Sequence, residues 1–215
     1  MTEVRVIETT SARIPTERGE FDLVLFEIDG DSKQHLAVIL GDVKDAEEVL
    51  VRVHSECFTG DVLGSQRCDC GEQFQLALNL ISRAEIGALI YLRQEGRGIG
   101  LRDKLLAYNL QDQGFDTVDA NLLLGHQPDE RDYGIAAAIL KKLGVRSIRL
   151  LTNNPHKIDE LQALGIEVRA RIPLEGHVHP ENESYLRVKA TRLNHLLTLE
   201  AFGNGNPSHD QKDHE

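Results

Sequence analysis

The sequence predicts an α/β protein with a mixed β-sheet core, flanking helices, a strand-rich N-terminal part and a disordered C-terminal tail. Three observations predict it. Runs rich in β-branched and aromatic residues dominate the first fifty-odd positions; strand-length apolar runs alternate with helical patterns from residue 74 onward; and nothing apolar follows Phe202. With 215 residues, 40% of them hydrophobic and 27% charged, the chain can bury one substantial core.

Residues 21–28 and 35–40 read as strands around Asp29-Gly30-Asp31, a hairpin-like turn signal. Residues 49–54 form a third strand, whose alternation sets Arg52 and His54 on one face and Val51 and Val53 on the other. A helix over 74–81 and a buried strand over 87–92 follow. The next helix covers 99–111, with Leu101, Leu105 and Leu106 as its apolar stripe. A second long helix covers 131–143, stopped by Gly144. Strand 147–151, a helix over 155–164 opened by Pro155, and strand 166–171 continue the alternation, and a last helix runs from about 183 to 199. No repeat or Pro/Gly-rich linker divides the chain, so residues 1–202 are expected to form one domain. Residues 203–215 lack the apolar surface to offset ordering and are expected to be a disordered tail.

The formal net charge of −11 argues against a nucleic-acid polymer or an anionic membrane as partner. It excludes a basic coat but leaves room for a basic pocket. No apolar run approaches the roughly 20 residues needed to span a bilayer, and the N-terminus has no signal-peptide pattern, so the expected location is the cytoplasm.

The three cysteines, Cys57, Cys68 and Cys70, fall within 14 residues. An odd number so clustered suits a metal site better than a disulfide framework or scattered core packing. Three thiolates with an open fourth position form a catalytic zinc geometry, in which a bound water ionises near pH 7. A structural zinc would instead take a fourth protein ligand, for which His54 is the candidate. His54-Ser55-Glu56 also echoes the His-x-Glu of zinc deaminases, although Cys-x-Cys stands where those enzymes carry Pro-Cys-x-x-Cys. Further along, Glu95-Gly96-Arg97-Gly98 joins a strand to a helix; such a turn can cradle an anion, or use its glycines for geometry alone.

Six segments together resemble the GTP cyclohydrolase II family: Arg52-Val53-His54-Ser55-Glu56-Cys57, Arg67-Cys68-Asp69-Cys70-Gly71, residues 93–101, residues 108–112, Asp129-Glu130-Arg131-Asp132-Tyr133 and residues 151–155. The similarity runs from about residue 10 to 198. It implies a homodimeric enzyme that converts GTP to formate, pyrophosphate and 2,5-diamino-6-ribosylamino-4(3H)-pyrimidinone 5′-phosphate, the first step of riboflavin synthesis. It implies one Zn2+ per chain on Cys57, Cys68 and Cys70, and Mg2+ with the triphosphate. Substrate contacts would come from Arg52, Val53, His54, Ser55, Glu56, Gln73, Glu95, Gly96, Arg97, Thr117, Thr152 and Lys157.

The same resemblance makes Tyr108 a proton donor or positioning group, its alternative being a tyrosine packed at a helix surface. It makes Arg131 a nucleophile toward the α-phosphorus, with Asp129 as its base. The alternative is that Arg131 neutralises phosphate charge while Asp129 caps a helix or ligates magnesium. His126 stands where an apolar residue is expected, and His177-Val178-His179 reads as a polar loop rather than a second metal site.

Overall fold

The computed structural model describes residues 4–127 and 129–197. Its strands are β1 (Val6–Thr16), β2 (Gly19–Ile28), β3 (Asp31–Leu40), β4 (Val49–Ser55), β5 (Gly87–Leu92), β6 (Ser147–Leu151) and β7 (Glu167–Ile172). Its helices are α1 (Phe58–Asp61), α2 (Cys70–Ser82), α3 (Gly100–Gln111), α4 (Thr117–Leu123), α5 (Gly134–Lys142), α6 (Pro155–Ala163) and α7 (Glu183–Thr191). The strands form one mixed sheet of order β1-β2-β3-β5-β4-β6-β7. An antiparallel meander of β1, β2 and β3 joins β5, while β5, β4, β6 and β7 run parallel.

The core follows from alternation along β4. Val49, Val51 and Val53 pack with Ile90, Ile148, Leu150 and the α5 residues Ile139 and Leu140. Leu50 belongs to the other cluster, with Ala77 and Ile81 of α2. Both faces of β4 are therefore covered, as a central parallel strand requires, and Arg52 and His54 lie on the α2 side, away from Val51 and Val53 as expected.

Several boundaries differ from the sequence reading. Strand β1 escaped it because ten of its eleven residues are exposed, so pairing with β2 rather than a buried face holds it. The stripe assigned to α3 is corrected: Leu101, Leu105 and Leu106 are exposed, whereas Lys104 and Ala107 face inward. Helix α5 starts at Gly134, not 131, because Glu130 N donates to Arg97 O (3.0 Å) and holds that stretch in a loop. Helix α4 has no counterpart in the sequence pattern; Asp116 caps it by accepting from Val118 N and Asp119 N. Helix α7 ends at Thr191, and both 198–199 and the tail lie outside the described residues. Pro155 opens α6, as the sequence indicated, and Asn154 caps it by accepting from His156 N.

One turn depends on glycine. Between β5 and α3, Gly96 and Arg97 share a left-handed φ of 62°, and Gly98 has φ 103°. A Cβ on Gly98 would lie 2.8 Å from Glu130 O, so only glycine lets the two loops touch. Gly98→Ala should therefore cost about 1–3 kcal/mol, read as a lower urea midpoint; an unchanged midpoint would show that the loops separate freely.

Candidate active site

The carboxyl ends of β4, β5 and β6 meet at one edge of the sheet. From β4 the chain passes to β5 on one side, and from β5 it crosses to β6 on the other, so β4 is the point where strand order reverses. Open α/β sheets leave a crevice there, because the connections depart in opposite directions. The loops after these strands bring Ser55, Glu56 and Cys57, then Glu95, Gly96 and Arg97, then Thr152, Asn153 and Asn154, to a cleft with two continuous halves.

The thiols occupy the first half. The Sγ atoms of Cys57, Cys68 and Cys70 all lie within 4.8 Å of one another, and Cys57 and Cys68 are 3.7 Å apart. Tetrahedral zinc with Zn–S distances near 2.3 Å needs sulfurs about 3.8 Å apart, so these residues fit the ion. His54, the fourth ligand that a structural zinc would take, is not part of this cluster. Its Nε2 is 3.0 Å from both Asp61 oxygens, and Asp61 also accepts from Cys57 N (3.0 Å) and Tyr91 Oη (2.9 Å).

A cation faces the sulfurs. Lys104 Nζ donates to Cys57 Sγ (3.1 Å), Thr59 Oγ1 (3.0 Å) and Glu95 Oε1 (2.7 Å). Hydrogen bonds from Cys68 and Cys70, aided by Lys104, push the Cys57 thiol far down. The same bonds push Cys68 up to about 11, and Cys70 well up. Tyr108 lies alongside, its Oη 3.4 Å from Thr59 Oγ1, and burial raises its pKa, so it keeps its proton. Thr117, from the start of α4, lines this half, within 3.5 Å of Gln111 Nε2. Glu56 lines it too, and accepts from Arg93 Nε (2.9 Å).

The second half is cationic. Arg52, Arg97, Arg131, Lys157 and Lys189 line it together with Gln73 and Thr152. Arg52 donates to Leu151 O (2.9 Å) and Gln73 Oε1 (2.7 Å), and among the described residues its buried Nε and a buried Nη of Arg97 have no partner. Lys157, 4% exposed, donates to Val53 O (2.7 Å), and its pKa is driven well down by burial and then by Arg52 and Arg131. Val53 itself offers only that carbonyl, since its side chain sits in the core. Thr152 Oγ1 accepts from Asn154 N (3.0 Å), shaping the α6 entry.

Asp129 and Arg131 form a two-point ion pair, with Arg131 Nε 2.7 Å from one carboxylate oxygen and an Nη on the other. Burial works against both charges, but it is outweighed: Arg131 lowers Asp129, and Tyr133 together with Asp129 raises Arg131. Asp129 caps no helix: it accepts from Arg131 N (3.2 Å) inside the loop, and α5 begins later.

Lys104, Asp61, Tyr185, Lys189 and His195 also build or line the site without any sequence signal, and Asp69, a motif residue with no role assigned from the sequence, joins them. Lysines in amphipathic helices ordinarily face water, and only tertiary burial marks these two as inward. The unexpected His126 lies between Asp103 (3.0 Å) and Glu130 (3.2 Å), a surface ion-pair position. His177 bonds to Glu72, and the cysteine cluster is the only group among the described residues able to hold a metal through three such ligands.

Lys104→Met removes the partner of a buried carboxylate and should destabilise the fold by about 3–5 kcal/mol. Urea unfolding that finds less than about 1 kcal/mol would mean Glu95 is already solvated.

No helix among the described residues is long and apolar enough to cross a membrane. The family model of GTP cyclohydrolase II matches residues 7–173. Riboflavin biosynthesis protein RibBA of Bacillus cereus (strain B4264) is 53% identical over 197 residues, 92% of this chain and 50% of that protein. RibBA of Phocaeicola vulgatus is 52% identical over 184 residues, 86% of this chain and 46% of its own length. The chain thus spans about half the length of the curated relatives it matches. A solved structure of RibBX from A. baumannii, a two-domain 3,4-dihydroxy-2-butanone 4-phosphate synthase, is similar at 22% identity over 80% of this chain and 40% of its own, with a TM-score of 0.42, too loose a likeness to bear on the fold. On the family match and the RibBA relatives, the chain belongs to the GTP cyclohydrolase II family.

Proposed function

We propose that this chain hydrolyses GTP at guanine C8, releasing formate and pyrophosphate and leaving 2,5-diamino-6-ribosylamino-4(3H)-pyrimidinone 5′-phosphate. Residues 1–202 would act as one catalytic domain, within a cytoplasmic homodimer. The observation that carries this reading is the continuity of the cleft: a three-thiol cluster opens into a cation-lined half through shared walls at Ser55, Cys70, Arg97 and Arg131. Two unlike chemistries within reach of one ligand suit a nucleotide whose base and phosphates are both attacked.

Cys57, Cys68 and Cys70 would hold one zinc, which when bound supplies Lewis-acid activation of water at neutral pH. One water opens the ring at C8, a second frees formate, and a third is consumed in releasing pyrophosphate. Tyr108, kept protonated by burial, would donate to a ring nitrogen as the C8 bond breaks. Glu56 and Thr117 would orient the base from the walls of the same half.

Arg52, Arg97, Arg131 and Lys157 would bind the triphosphate, with Gln73 and Thr152 completing that half. Its buried, partly unpartnered donors are costly without an anion and well matched to one. Arg131 would act as a preorganised charge on the α-phosphate, oriented by Asp129; their two-point bond supports this over a nucleophilic guanidinium, which must first lose a proton the pairing retains. Magnesium would arrive on the phosphates, as is usual for this ion with nucleotide substrates.

The deciding experiment incubates the protein with GTP, zinc and magnesium, and measures formate, pyrophosphate and the nucleotide together. All three should appear in equal amounts. Ammonia without formate would point to a deaminase, and tight GTP binding without turnover to a non-catalytic module. Folded Cys57→Ser should lose zinc and formate yet still release pyrophosphate, leaving GMP. Arg131→Ala should keep zinc while pyrophosphate release falls about a hundredfold or more. Loss of both products in Cys57→Ser with normal GTP binding would refute this division of labour.

A further inference from the structure

Helix α7 lies beyond the residues that match the family model, yet it reaches the centre of the cleft. Its Lys189 Nζ is 2.8 and 3.0 Å from the two carboxylate oxygens of Asp69, and the residues are only 5% and 2% exposed. Asp69 is the single residue between Cys68 and Cys70, and it occupies the N-cap position of α2 without a side-chain capping bond. Its carboxylate instead accepts from Gln73 Nε2 (2.7 Å), and Gln73 in turn accepts from Arg52. A continuous polar chain therefore runs from α7 through the turn that carries two of the thiols and into the cationic half.

The ammonium is the only cation in contact with Asp69 among the described residues. A buried carboxylate held from two sides leaves the backbone between two ligands little freedom, which is how residues outside a coordination sphere set its geometry. Tyr185, one turn earlier on α7, lines both halves of the cleft, and its ring lies 5.7 Å from the Arg97 guanidinium and 5.3 Å from Lys189 Nζ. The seat of α7 and the shape of the turn are thus the same set of contacts.

We propose that Lys189 is a positioning residue for the metal-binding turn: by clamping Asp69 it holds Cys68 and Cys70 in ligating geometry, and an ion held there in return seats α7 over the cleft. The inference rests on the proposed reading of the cysteines as a zinc site. Coupling of this kind is reciprocal, because the same contacts link both equilibria.

The test uses the full chain loaded with zinc. Metal content of the wild type is measured first, and the rate of zinc transfer to an excess of chromogenic chelator is then compared with that of Lys189→Met. The variant should release zinc about tenfold faster or more, and amide exchange over 183–191 in the wild type should accelerate when zinc is stripped. A folded Lys189→Met that releases zinc at the wild-type rate overturns the clamp while leaving the metal site intact. Should that variant not fold, unchanged exchange over 183–191 between the stripped and loaded wild type overturns it equally. Absence of zinc from the wild type would overturn both this inference and the reading beneath it.

Discussion

Parallel pairing of β4 with β5 on one side and β6 on the other is the constraint from which the site follows. Each strand ends at the same edge, and each must hand the chain to a helix on its way back across the sheet. That geometry gathers three loops, remote in sequence, around the end of β4. It also divides the strand's own residues between two environments. The valines close the core against α5, while Arg52 and His54 face α2 and the cleft. Without a central strand covered on both faces, neither arginine nor histidine would be held where water is scarce.

Charge is distributed against the average of the molecule. A chain with net charge −11 collects Arg52, Arg97, Arg131, Lys157 and Lys189 in one half of one cleft. Two of those cations are neutralised locally, Arg131 by Asp129 and Lys189 by Asp69. Lys157 reaches the Val53 carbonyl and the face of the Tyr133 ring but no carboxylate among the described residues, where donors on Arg52 and Arg97 are likewise buried without acceptors. Desolvated positive charge of this kind is costly alone and becomes favourable when a polyanion supplies the acceptors. The acidic remainder of the surface keeps such a pocket from serving as a general polyanion binder.

The thiol half has the complementary problem of excess negative charge. Lys104 answers it by bonding Cys57 and Glu95 at once, and Asp61 orders the opposite side through His54, Tyr91 and the Cys57 amide. The two supports come from different directions, one from α3 and one from α1, so the cluster is braced by tertiary contacts rather than by its own short turn. The exposed Leu101, Leu105 and Leu106 on α3 are the converse of this arrangement: the helix is rotated to put its lysine inside.

Local signals sufficed for much of this. The spacing of Cys57, Cys68 and Cys70, the β4 alternation, the Asn154-Pro155 helix entry and the glycines after β5 all act over a few residues, where chemistry and backbone geometry are written directly in residue type. Tertiary structure alone decided which neutral-looking positions serve the motif residues. Strand β1 exists through pairing with β2 and not through an apolar face, and the loop at Asp129–Arg131 stays non-helical because a carbonyl 33 residues earlier, at Arg97, takes the Glu130 amide. Lys104 and Lys189 resemble any surface lysine until packing buries them beside Glu95 and Asp69. Periodicity reports which side of a helix is apolar, but burial depends on what the rest of the chain brings against it, and that is settled only by long-range contact.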